Sequence, residues 1–179
     1  MDHVDLSPLY YAFLVGIGSY DQTEKPKVEN LPYPEEMIEE LYNLLQEEYP
    51  QSQISKLNSQ NTTTRRKILG TFTKFLESLP SQRKIPKKGE INKPVFLLIY
   101  IISHGVRIGN DYYIYPSDVR RELNNSPFRS KVEIETSISI NFLKDMLLSV
   151  NSDSWDVLFV FDACRAPVSE FLPSQRGII

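Results

Sequence analysis

One cysteine and two histidines are the whole supply of thiol and imidazole in this 179-residue chain. Cys164 stands in Phe161-Asp162-Ala163-Cys164-Arg165-Ala166, directly after the apolar run Val157-Leu158-Phe159-Val160-Phe161. Sixty positions earlier, Ser103-His104-Gly105 closes an equally apolar run from Val95 to Ile102. A free thiol with a pKa near ~8.5 is mostly protonated at neutral pH, so it needs a base or a positive surrounding to become a nucleophile. His104 offers that base and, later, the proton for a leaving amine. A tetrahedral intermediate needs donors for its oxyanion, and the backbone N–H groups of Gly105 and Cys164 are the natural candidates. A glycine directly after the histidine also lets a substrate backbone approach with no Cβ in the way. Thiol, base and oxyanion donors brought to one edge of a sheet are the layout of a cysteine protease.

Each of these residues has a plainer reading when taken alone. A single cysteine among apolar neighbours is more often a small buried hydrophobe than a nucleophile, and a lone histidine is more often structural. Asp162 suits a helix cap or a hydrogen-bonded core carboxylate. Arg165 suits a salt bridge as well as a contact to a substrate carbonyl or carboxylate. The two residues at matching strand ends, with Gly105 alongside, favour a catalytic site or the descendant of one.

The elements that must position them alternate along the chain. Tyr10 to Val15 reads as a buried strand running into Gly16-Ile17-Gly18. Pro34-Glu35-Glu36 opens a helix, with proline at a first helical position and acids in the first turn. Met37, Ile38, Leu41, Leu44 and Leu45 form its apolar stripe. Ile54 and Leu57 mark a short strand. Asn61-Thr62 is a capping pair for a second helix striped by Ile68, Leu69, Phe72, Phe75, Leu76 and Leu79 and ended by Pro80. The strand from Pro94 leads to His104, and Arg107 to Tyr115, with Gly109-Asn110-Asp111 at its centre, reads as a β-hairpin. Residues 116 to 138 are polar and irregular. A third helix starts near Ser139, with Phe142, Leu143, Met146, Leu147 and Val150 on one face, and Asp153 to Trp155 turn it into the strand before Cys164. This alternation predicts an α/β three-layer sandwich with a mostly parallel central sheet. In such sheets reactive groups gather beyond the carboxyl ends of the strands, near the point where strand order reverses.

Bulk properties narrow the function classes. The length predicts one domain over residues 1–179 with a flexible tail from about 167, and 41% hydrophobic residues suffice for a core. A net charge of −3 gives no basic field for nucleic acid. The cluster Arg83, Lys84, Lys87, Lys88 and Lys93, broken by Pro86 and Gly89, reads as a solvated loop, with a docking surface as the sharper alternative. A lone cysteine has no internal disulfide partner, which fits a reducing, cytoplasmic setting. The start Met1-Asp2-His3-Val4-Asp5 lacks a signal-like pattern, and no apolar run reaches membrane-spanning length. Gly16-Ile17-Gly18 is too little for a dinucleotide fingerprint, and no phosphate loop follows. Asp111, Asp118, Glu133 and Glu135 lack the spacing of a calcium loop, so no metal and no other cofactor is expected.

At the level of motifs the chain resembles the caspase-like cysteine proteases, including metacaspases and related bacterial caspase-like domains. The resemblance runs in order through Tyr11 to Tyr20, Leu57, Thr63-Thr64-Arg65, Ser103-His104-Gly105, Tyr112 to Asp118, and Asp162-Ala163-Cys164-Arg165-Ala166. The caspase signature has glutamine where Asp162 stands and glycine where Ala166 stands. Metacaspases carry an aspartate two residues before the nucleophile, lining the pocket for lysine or arginine just before the scissile bond. The resemblance therefore implies a basic P1 residue held by Asp162. Asp-specific caspases use an arginine in the loop after the first strand, and Gly18 to Glu24 offers none.

The resemblance also implies that the chain corresponds to the large-subunit half of such a domain. A small-subunit half or a partner chain would complete the sheet, whose edge beside the site is otherwise open. A processed large fragment, a shortened chain and a product with a separate partner polypeptide all fit. Two function classes follow: a Cys–His dyad endopeptidase cutting proteins after Arg or Lys in a regulated stress, defence or cell-death response, and a catalytically idle caspase-fold module that binds a partner protein.

Overall fold

The computed structural model describes residues 8–21, 23, 28–80, 94–120, 135–150 and 155–165. The basic cluster at 83–93, most of the polar stretch 116–138, the turn at 153–154 and the tail from 167 lie outside them. Six strands and three helices make up the described part: β1 (Leu9–Gly16), α1 (Pro34–Glu48), β2 (Gln53–Leu57), α2 (Arg65–Ser78), β3 (Val95–Ile108), β4 (Asp111–Ile114), β5 (Ile138–Ser139), α3 (Ile140–Val150) and β6 (Trp155–Arg165). They form an α/β structure with one mixed, open sheet in the order β2-β1-β3-β4-β5, with β6 also paired to β3. The β1–β2, β1–β3 and β3–β6 pairs are parallel, whereas β3–β4 and β4–β5 are antiparallel.

Side chains alternate between the two faces of the sheet, as the period of a strand requires. Phe13 and Val15 of β1 and Leu97, Ile99 and Ile101 of β3 enter the larger core cluster, with Ile68, Phe72 and Phe75 of α2 and Leu143 and Leu147 of α3. Ala12 and Leu14 of β1 and Ile102 of β3 enter the second cluster with Ile38 of α1. Phe13 lies 4.9 Å from Phe72 and 5.5 Å from Phe75, ring centre to ring centre, so the aromatic contacts fix α2 against β1.

Both helical stripes expected in α1 and α3 are present but narrower than their apolar residues suggest. Ile38 is fully buried, while Met37 and Leu44 are exposed; Leu143 and Leu147 are buried, while Phe142 and Val150 are exposed. In α2 the cap is Thr64, whose side chain accepts from Lys67 N–H, and not the Asn61-Thr62 pair. Thr62 instead closes the preceding turn through Ser59. Asp118, from the far side of the sheet sequence, also accepts from Arg65 N–H at 2.7 Å and so adds a second cap.

The hairpin at Gly109-Asn110 forms as expected, with Gly109 at φ 61° in the left-handed region that glycine enters freely. Its first arm is the unexpected part. β3 does not end at Ser103-His104-Gly105 but runs unbroken to Ile108, exchanging partners as it goes. Its pairing with β1 stops at Ile102, opposite Gly16, and its pairing with β4 begins at Gly105, opposite Ile114. His104 therefore lies in the two-residue gap between two partner strands, inside a strand and not at the end of one.

Candidate functional site

β1 has β2 on one side and β3 on the other, so strand order reverses between β1 and β3. The crevice beyond the carboxyl end of β1 is the position where open α/β sheets hold ligands. The gap in β3 opens onto it. Ile17 N–H donates to Ile102 C=O and Tyr115 N–H donates to His104 C=O, each at 2.9 Å, on either side of the gap. Between them no strand amide or carbonyl is left to meet His104 N–H, and the Tyr20 hydroxyl takes that role at 2.9 Å. The same hydroxyl donates to Ile17 C=O at 3.2 Å.

The imidazole is half-buried and held from two directions. Its Nε2 lies 2.9 Å from the Glu29 carbonyl oxygen. A carbonyl only accepts, so Nε2 carries the proton of the neutral ring and Nδ1 is left as the acceptor. The Tyr20 ring packs against the imidazole with centres 5.3 Å apart. Tyr20 N–H donates to Asn30 Oδ1 at 2.9 Å, and Leu31 N–H to Gly18 C=O at 2.8 Å, which closes the loop between β1 and α1 on itself.

Cys164 pairs with His104 in the β3–β6 register, and Arg165 with Gly105. Directly opposed positions on neighbouring strands have backbones roughly 4.8 Å apart and share a face of the pleat. Strand positions 104 and 164 are thus brought side by side. Asp162 precedes by one full pleat repeat, roughly 6.6 Å along the strand, and is exposed. The Tyr100 hydroxyl is raised above its ordinary pKa by burial and, second, by the negative charge of Asp162, so carboxylate and phenol are electrostatic neighbours.

Gly105 occupies a different setting from the one expected of it. A Cβ there would stand 2.8 Å from Tyr113 C=O and 3.1 Å from the Phe161 ring. Close approach of β4 and β6 thus accounts for the missing side chain, on the face away from His104. The Ile102 and His104 carbonyls turn toward β1 and β4, and strand alternation turns the Gly105 amide toward β6. Both amides named as oxyanion donors therefore lie on the facing edges of β3 and β6.

Asp111 and Asp118 spend their carboxylates on local structure. Asp111 accepts from Asn141 N–H at 3.2 Å and from the Ser139 hydroxyl at the start of α3, and Asp118 caps α2. No cluster of three or more His, Cys, Asp or Glu side chains arranged to hold a metal occurs among the described residues. A cavity of about 470 Å³ is lined by Tyr10, Tyr49, Phe96, Asp156 and Leu158 at the opposite end of the sheet. Eight residue steps of β3 separate Phe96 from His104, roughly 26 Å. That cavity is lined by the Ser52 hydroxyl, the phenols of Tyr10, Tyr11 and Tyr49 and the Asp156 carboxylate but by no thiol or imidazole, so the candidate pair lies apart from it.

Three groups at the site were not singled out from the sequence. The Glu29 carbonyl is backbone and leaves no residue-type signal. Tyr20 and Tyr100 carried one: a tyrosine two residues beyond Gly18, and a hydroxyl-bearing residue in the middle of the apolar run from Val95 to Ile102.

Fold and site together define a class: an open-sheet α/β protein with a cysteine and an oriented histidine opposed in register at the switch point of the sheet. No protein-family model matches the chain, and no curated protein sequence matches it. No helix among the described residues is long and apolar enough to cross a membrane.

Proposed function

We propose that the protein is a caspase-like cysteine endopeptidase that cleaves protein chains after Arg or Lys, with Cys164 and His104 as its dyad. One observation carries the reading: His104 stands opposite Cys164 in the register with Nε2 engaged by the Glu29 carbonyl, which leaves Nδ1 as the proton acceptor. Nδ1 takes the thiol proton as the sulfur attacks the scissile carbonyl carbon. The tetrahedral oxyanion is stabilised by the Gly105 and Cys164 amides once the β3–β6 ladder opens there. Collapse breaks the C–N bond, and the imidazolium returns its proton to the leaving amine. Water, deprotonated by Nδ1, then hydrolyses the thioester and restores the thiol. The Asp162 carboxylate pairs with the ammonium or guanidinium of the P1 side chain.

The finer fold reading belongs with this function: a caspase-like three-layer sandwich whose sheet is completed beside β6 by a small-subunit half or a partner chain. A cytoplasmic setting and a role in a regulated stress, defence or cell-death response rest on the motif resemblance. The second reading, an idle module that binds a partner protein, is favoured by one feature. Among the described residues β6 has no strand partner on its outer edge.

Cleavage of Arg-, Lys- and Asp-terminated reporter peptides by the protein and by Cys164→Ala, in reducing buffer, separates the two. The expected result is cleavage after Arg or Lys that the substitution abolishes. Absence of cleavage even when the chain is supplied with the proposed small-subunit half supports the binding module instead.

A further inference from the structure

We infer that Tyr20 is the positioning residue that fixes the tautomer and orientation of His104; this rests on the protease reading for its kinetic consequence but not for its geometry. Tyr20 is 2% exposed, so its hydroxyl sits where water does not compete for it. His104 occupies the gap in which β3 has lost β1 and not yet gained β4, and a strand amide facing such a gap goes unpaired unless a side chain supplies an acceptor. The Tyr20 hydroxyl is that acceptor for His104 N–H and passes its own proton to Ile17 C=O.

The contacts form a closed circuit. Tyr20 N–H binds the Asn30 side chain, and Asn30 adjoins Glu29. Glu29 C=O receives the His104 Nε2 proton, and His104 N–H returns to the Tyr20 hydroxyl. The Tyr20 ring lies against the imidazole and limits its rotation. Backbone and ring of the histidine are therefore tied to one loop by one tyrosine. Loss of the hydroxyl cuts the direct bond between the His104 main chain and Tyr20, and so loosens the imidazole against the Glu29 carbonyl that keeps the proton on Nε2 and the lone pair on Nδ1. A histidine free to place its proton on either nitrogen presents the wrong one to Cys164 for part of the time.

The test uses the His3→Gln background, which leaves His104 as the one histidine, and reads its ring nitrogens by NMR in the full chain. The unaltered site is expected to give a single neutral tautomer protonated on Nε2. Tyr20→Phe keeps the ring and removes the hydroxyl, and Asn30→Ala cuts the circuit at an exposed link should the first variant fold poorly. Each is expected to yield a mixture of tautomers, with kcat on the Arg reporter lowered about tenfold and KM within about twofold, because geometry of the base and not substrate affinity is disturbed. A neutral ring already mixed in the parent, or a single Nε2–H tautomer persisting in both variants, overturns the assignment. If the parent cleaves no reporter even when supplied with the small-subunit half, the protease reading falls, and the nitrogen spectra alone still decide the role of Tyr20.

Discussion

Asp162 and Tyr100 form the residue pair on which the proposed substrate preference turns. Asp162 is exposed near the thiol position, and its charge helps raise the Tyr100 hydroxyl, after burial. Asp162→Asn keeps the shape and removes the charge. In that variant the Tyr100 pKa is expected to move down toward the value set by burial alone, read by NMR titration of the ring. The kcat/KM for Arg and Lys reporters is expected to fall by roughly 10- to 100-fold, since a hydrogen bond to a charged group contributes about 1.5–3 kcal/mol. Reporters with neutral P1 groups serve as the control. An equal fall on both kinds of reporter, or none, would remove Asp162 from the P1 pocket. Legibility differed sharply among these residues. The opposed positions of Cys164 and His104 were legible as a candidate pair because thiol and imidazole are scarce in this chain and each follows an apolar run. The partners of His104 were not, because one is a main-chain carbonyl and the other is a tyrosine whose hydroxyl bonds main-chain groups across 84 positions.

Elements carry their own consequences. α1 is joined to β2 by Glu39, whose carboxylate accepts from Lys56 and from Asn58. The Lys56 hydrogen bond is the first cause that lowers the Glu39 pKa below its usual 4.5, with its charge and Asn58 adding to the effect. A carboxyl group with a depressed folded-state pKa stabilises the fold fully above its unfolded value, and that contribution is lost as pH falls through the folded value. Urea unfolding followed from pH 6 down to pH 3 is therefore expected to show a shallower loss of stability in Glu39→Gln than in the parent. The group is exposed, so the difference is small and shrinks in high salt. A parallel loss in both proteins would mean that the contact does not operate in solution. The helices were legible from their stripes because period and burial agree over most positions. β3 was not, since Ser103-His104-Gly105 interrupts the apolar run just where the strand changes partners. The polar break marked the partner switch and was read as the strand end. Cap positions slipped for a related reason: Thr62, Thr63 and Thr64 are three chemically similar candidates, and the turn held by Ser59 selects the last.

At the scale of the whole molecule, coverage of the sheet is uneven. α1 contributes to the cluster around Ala12, Leu14 and Ile102, beside β1 and the adjoining part of β3, and no residue of β6 belongs to that cluster among the described residues. Leu158 is 61% exposed on that side, and Val157 is 37% exposed on the other. The large cavity opens against the same strand. A strand eleven residues long, whose outer edge has no partner among the described residues and which carries apolar side chains on both faces, is a template for another strand. Asp156 and Asp162 place charge near either end of it, which limits promiscuous pairing without protecting the centre. The isolated chain is thus expected to self-associate as its concentration rises, by sedimentation velocity, and Leu158→Lys to shift it toward monomer. Because residue 158 is six positions from Cys164 and already exposed, the substitution should leave the thermal midpoint within a few degrees of the parent. A parent that stays monomeric at every concentration would mean that other residues of the chain cover β6, and the partner strand proposed for that edge would lose its place. Association that Leu158→Lys abolishes would instead identify the edge as the docking line, and strand-forming peptides could then be tested there for competition.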